Sequence, residues 1–149
     1  VFHEAIMPDI LHDFPIAAEP GRVFEALCSP AGLNAWWTLA AEGEPGVGQR
    51  YRLYFGPGYD WVGVMRRHQP GREAEWEITE ADADWRGTRV GFRLRPEGGA
   101  TQVEFYHTGW PGVNSHYRTS CFCWAMYLRL LKRHIETGEV VEYQRRLDV

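Results

Sequence analysis

At 149 residues the chain is long enough for one domain with a sizeable core, read as residues 1–149 with the core over about 9–138. Its 16 basic and 20 acidic residues give a net charge of −4 with histidine neutral. That balance argues against a nucleic-acid partner, because phosphate neutralisation needs a basic patch. No apolar run approaches the ~18 residues of a membrane span, and the N-terminus lacks the basic start and apolar stretch of a signal peptide.

Three cysteines cannot form a disulfide framework, so a cytoplasmic location is expected. Val1 is not a natural start; Met7 is a candidate one, with Val1 to Ile6 upstream of it. Aromatic residues make up 14% of the chain, seven each of Trp, Tyr and Phe. Rings this numerous either fill a large core or line a cavity.

In chain order, Ile10 to Ala17 alternates Ile10, His12, Phe14 and Ile16 against Leu11, Asp13 and Pro15, which predicts a strand with His12 facing inward. Pro20 suits a helix first turn, and Val23, Phe24 and Leu27 supply a short apolar face. Ser29-Pro30 stops that helix, and a second short one is predicted over Ala31 to Trp37. The adjacent Trp36 and Trp37 are expected to divide, one inward and one on the surface. Glu42 to Gly48 reads as turn.

Strand patterns follow at Arg50–Phe55, Asp60–Gln69, Glu73–Thr79, Thr88–Arg95 and Thr101–Trp110. Gly56-Pro57-Gly58 and Pro70-Gly71 are turns between them. Gly87 and Gly109, beside Trp85 and Trp110, read as strand-boundary devices. The alternation implies antiparallel strands with one wet face, about five or six in a meander. Asn114 or Ser115 then caps a long helix. Its inward stripe is Tyr117, Cys121, Trp124, Leu128, Leu131 and Ile135, at steps of 3, 4 and 7.

This order of elements resembles the helix-grip fold of the START-like (SRPBCC) superfamily. The AHSA-type branch, related to activators of the heat-shock-protein ATPase, is the one it resembles. The resemblance rests on residues 14–20 (Phe-Pro-Ile-Ala-Ala-Glu-Pro), Val23-Phe24, Ala26-Leu27, Gly32-Leu33, Trp36-Trp37, Trp76, residues 85–88 (Trp-Arg-Gly-Thr), residues 107–110 (His-Thr-Gly-Trp), and Tyr117, Cys121 and Trp124. It implies an α+β fold: a curved antiparallel sheet, two short helices, and a long C-terminal helix across the sheet. It also implies an apolar pocket between that helix and the sheet.

The expected function is binding of a small hydrophobic or aromatic ligand there. Candidate liners are Trp37, Tyr51, Leu53, Phe55, Trp76, Ile78, Val90, Phe92, Phe105, His107, Trp110, Tyr117, Cys121 and Trp124. An open cavity is expected beneath Trp124, Tyr117 and Phe105. The alternatives are a polyketide-cyclase-like enzyme with His107 as general base, and a chaperone-type interaction module.

No metal or cofactor is expected. Cys121 and Cys123 point to different sides of a helix, His116 and His134 lie 18 apart, and neither CxxC nor HExxH occurs. Phe122, Met126 and Leu130 recur every four residues, roughly opposite the inward stripe, and are expected to form a two-fold homodimer contact. The competing reading has Phe2 to Met7 folded back over that patch.

Overall fold

Alternating apolar residues build seven strands: β1 (Ile10–Ile16), β2 (Ala40–Glu42), β3 (Arg50–Tyr54), β4 (Asp60–Gln69), β5 (Glu73–Glu80), β6 (Arg89–Glu97) and β7 (Ala100–Thr108). They form one antiparallel sheet in the order β1-β7-β6-β5-β4-β3-β2. The structure is a computed structural model and describes residues 8–149. The candidate start at Met7 and the fold-back of Phe2 to Met7 lie outside the described residues.

Helices α1 (Pro20–Cys28) and α2 (Pro30–Trp36) carry the chain from β1 to the opposite edge of the sheet. Each has proline in its first turn, where the missing N–H costs nothing. Ser29 ends α1 and caps α2, its Oγ accepting from the Gly32 N–H at 2.9 Å. From β2 the chain meanders back until β7 lies against β1, with Ile10 opposite His107 and Ile16 opposite Thr101.

The long helix α3 (Ser115–Thr137) lies across the concave face. The Asn114 side chain caps it by accepting from the Tyr117 N–H at 2.8 Å, and Gly138 ends it at φ 79°, a left-handed cap suited to glycine. Its last turns are pinned to the other elements. Glu136 accepts from the Ala17 N–H at 2.7 Å, and Arg22 donates to the Ile135 carbonyl at 2.9 Å. Among the described residues no helix is long and apolar enough to cross a membrane.

The core lies between α3 and the sheet. Trp124, Leu128, Leu131 and Ile135 of α3 are buried against Tyr51, Leu53, Trp76, Ile78, Val90, Phe92, Val103 and Phe105. Tyr117 and Cys121, on the same stripe, are half-buried.

Four expectations are corrected. Residues 40–42 form a short edge strand that takes in Glu42 from the stretch read as turn, and the meander's six strands lie within the five or six expected. Helix α2 begins and ends one residue earlier than expected. Trp36 and Trp37 are both buried, with ring centroids 5.9 Å apart. Trp37 leaves helical geometry (φ −125°, ψ −65°), and this swings its ring inward beside its neighbour's. Leu130 is 3% exposed and belongs to the core, so the outer apolar patch shrinks to Phe122 and Met126.

Candidate functional site: an aromatic cleft beside a closed ring core

Period-two alternation places His107 on the inward face of β7 with Val103 and Phe105, as its phase predicts. Its ring is fully buried and both nitrogens are engaged. The Trp124 indole N–H donates to Nδ1 at 3.0 Å, and Nε2 lies 2.8 Å from the Thr88 hydroxyl. Since Nδ1 accepts, the neutral ring carries its proton on Nε2 and donates to Thr88 Oγ1. Thr88 in turn donates to the Trp85 carbonyl. Burial, with a smaller contribution from His116, pulls the His107 pKa down to about 3.

Aromatic rings close around this histidine. Trp85 and Trp110 lie 4.5 and 4.8 Å from it, centroid to centroid. Trp124 packs on Phe105 at 4.5 Å, on Trp37 at 5.1 Å, and in a stack on Trp85 at 5.9 Å. Tyr117 seals the outer end, edge-on to Trp110 at 5.5 Å. The expected cavity beneath Trp124, Tyr117 and Phe105 is therefore filled by interlocking rings.

The open space lies next to that plug. A cleft of about 260 Å³ is lined by Trp37, Phe55, Tyr59, Trp61, Trp85, Tyr127 and Tyr143, all aromatic. Phe55 meets Trp37 and Trp61 edge-on at 5.3 Å each, and Trp61 lies 4.9 Å from Trp85. Trp85 thus separates the cleft from His107.

Of the expected liners, Trp37 and Phe55 border this cleft. Leu53, Trp76, Ile78, Val90, Phe92, Phe105, His107, Trp110 and Trp124 are closed within the core. Tyr51 is turned away, its hydroxyl donating to the Cys28 carbonyl at 2.7 Å. Tyr117 and Cys121 lie further along α3, outside the cleft.

Five cleft residues were not anticipated: Tyr59, Trp61, Trp85, Tyr127 and Tyr143. Tyr59 and Trp61 carry a readable signal, the period-two spacing at the start of β4. Tyr127 follows Trp124 by three residues on the helix, and that spacing is a readable signal too. Tyr143 has no local signal, because its place depends on the chain returning past α3.

A second groove, about 300 Å³, runs between β1 and α3, bounded by Phe14, Leu128, Asp13 and Lys132 among others. It holds one aromatic side chain besides His12. Its Lys132 is already committed to the Pro15 carbonyl and Glu136. The all-aromatic cleft is the better candidate for a specific apolar ligand.

The profile of the Activator of Hsp90 ATPase homolog 1-like proteins matches residues 17–136. The chain belongs to that family. Its helix-grip fold is that of the START-like superfamily, as the order of elements implied. Among solved structures, the Aha1 dimer from Colwellia psychrerythraea shares 28% identity at a TM-score of 0.81, covering 89% of this chain and 99% of that one. Protein MLL2253 from Mesorhizobium loti shares 18% at 0.77, covering 89% and 100%. CalU16 from Micromonospora echinospora shares 21% at 0.72, covering 95% and 83%. At such identities the last two speak for the fold alone. No curated protein matches the chain in sequence. The family match ends within α3, so Tyr143 of the cleft lies beyond the family's matched region.

Proposed function

We propose that the chain binds a small, flat hydrophobic or aromatic ligand in the cleft between Trp37, Phe55, Trp61, Trp85 and Tyr127. The observation carrying this reading is a wall made wholly of aromatic side chains around about 260 Å³. That volume suits a molecule of one or two rings. Burial of apolar ligand surface is worth about 25 cal/mol per Å², and stacked or edge-on rings add about 0.5–1.5 kcal/mol each. Binding is favoured over catalysis because a general base works best with a pKa near the working pH. His107, at about 3 with both nitrogens occupied, is far from that. A cytoplasmic setting fits the free thiols of Cys28, Cys121 and Cys123.

Titration with 2-naphthol, a flat two-ring fluorophore, followed by its fluorescence, tests the reading. Trp61→Ala is expected to weaken the probe about tenfold, since it removes a half-buried wall ring worth one or two such contacts. Leu11→Ala, on the opposite face of the sheet, serves as the control. Equal affinity in the wild type and Trp61→Ala would overturn the proposal.

A second reading, self-association, is favoured by Phe122, which stands 80% exposed on α3 with Met126 one turn away. The relative from Colwellia psychrerythraea is described as a dimer. A two-fold contact would bury this ring against its own copy. In sedimentation at micromolar concentration the wild type is expected to dimerise and Met126→Glu to be monomeric. A monomeric wild type removes the reading.

A further inference from the structure

We infer that the C-terminal strap, residues 139–149, gates the aromatic cleft, with Tyr143 as its specificity-setting wall and Arg146 as the latch. The inference rests on the reading of the cleft as a ligand site. The strap lies wholly outside the family-matched residues 17–136.

Tyr143 begins the 3-10 helix Tyr143–Asp148 and closes one side of the cleft. Its hydroxyl donates to the carbonyl of Phe55, another wall residue, at 2.7 Å. Arg146 is 3% exposed, yet among the described residues it meets no carboxylate. Its guanidinium donates to the carbonyls of Asn34 at 2.7 Å, Val141 at 2.9 Å and Thr38 at 3.4 Å, and lies over the Tyr143 ring. Asn34 belongs to α2, whose last carbonyls have no helical partner and form the negative end of its dipole. A cation is suited to that position. Because Trp37 ends the same helix, Arg146 couples the Tyr143 wall to the Trp37 wall.

The remainder of the strap is lightly held. Glu139 is paired with Arg133 at 2.7 Å, which pins its base. Beyond that, Val140, Glu142, Gln144, Arg145, Leu147, Asp148 and Val149 are all exposed. A segment held at its base, by Val141 against the core, by the Tyr143 bond to Phe55 and by the Arg146 latch has few buried contacts and opens at lower cost than the sheet it covers. Closed, it restricts the cleft to small flat rings; open, it offers a way in.

Acrylamide quenching of tryptophan fluorescence in the ligand-free protein tests the gate without any probe. Arg146→Met keeps the aliphatic stem and removes every donor. Tyr143→Ala removes the wall ring. Each is expected to raise the Stern–Volmer constant by about 1.5-fold or more, as Trp37, Trp61 and Trp85 gain solvent contact through local opening. Circular dichroism melting checks that both variants fold; if Arg146→Met does not, Tyr143→Ala decides alone. Quenching equal to wild type in the folded variants overturns the gate. Failure of 2-naphthol to bind the wild type overturns the cleft reading instead, and the quenching result stands apart from it.

Discussion

Trp124 donates its indole N–H to Nδ1 of His107 across 3.0 Å, and this bond ties the long helix to the last strand at the centre of the ring core. It joins two residues that the sequence placed separately on the inward faces of helix and sheet. The bond also decides the chemistry of the histidine. With Nδ1 accepting and Nε2 bonded to Thr88, protonation would break the indole bond and bury a charge among rings.

A pH dependence of stability follows. The folded pKa of His107 is pulled down to about 3 from an ordinary 6.5, chiefly by burial. Between those values the unfolded chain binds the extra proton and the folded chain does not. The stabilisation is therefore complete above pH 6.5 and is lost as pH falls toward 3. Urea unfolding of the wild type and His107→Phe at pH 7 and pH 4.5 isolates this contribution, because the carboxylates are common to both. The wild type is expected to lose more stability on acidification than the variant. At pH 7 the variant is expected to be weaker by about 1–3 kcal/mol, since the Trp124 N–H loses its acceptor. Identical pH slopes would show that His107 does not carry the effect.

On the outer face of the sheet, Gly91 makes room for Tyr106. The phenol crosses the glycine to donate to Glu75 at 2.8 Å, where Arg89 also reaches that carboxylate at 2.8 Å. A Cβ at position 91 would lie 2.2 Å from the Tyr106 ring and hydroxyl. Gly91→Ala is therefore expected to cost about 2–3 kcal/mol by overpacking and by depriving buried Glu75 of a donor. In a double-mutant cycle by chemical denaturation, Gly91→Ala should cost much less in a Tyr106→Ala background. Additive losses would mean that the clash is not the cause.

Trp85 is the partition between the open cleft and the closed core. It lies 4.9 Å from Trp61 on one side and 4.5 Å from His107 on the other. Trp85→Ala is expected to lower stability by about 3–5 kcal/mol, the usual cost of deleting a large buried ring. It should also merge the cleft with the space beside His107, so that the variant, where folded, takes up larger polycyclic probes than the wild type. Fluorescence competition between one-ring and three-ring aromatic compounds measures this. An unchanged size preference would place the partition elsewhere.

Much of the fold was legible because its signals are local. The stripe from Tyr117 to Ile135 marks α3 at helical spacing, and alternation in Val103, Phe105 and His107 sets the phase of β7. The proline at the start of α1, the Asn114 cap and the inward orientation of His107 followed in the same way. The three-residue strand β2 was missed because so short a piece has no periodicity of its own and owes its state to pairing with β3. Leu130 was placed on the wrong side of the surface because a helical wheel gives a direction but does not show what packs there.

Sequence alone thus determined the order of elements, the faces they bury, and the concentration of rings between helix and sheet. These depend on backbone periodicity and on capping and turn residues, which act within a few positions of the chain. Only the tertiary structure decided whether those rings leave a void. The answer depends on how Trp85, Trp110 and Trp124 interlock around His107, which is a matter of side-chain volume and angle between distant segments. It likewise decided that the opening lies beside the plug and that Tyr143 completes its wall. That tyrosine reaches Phe55 across 88 positions of sequence, a separation over which no local pattern carries information.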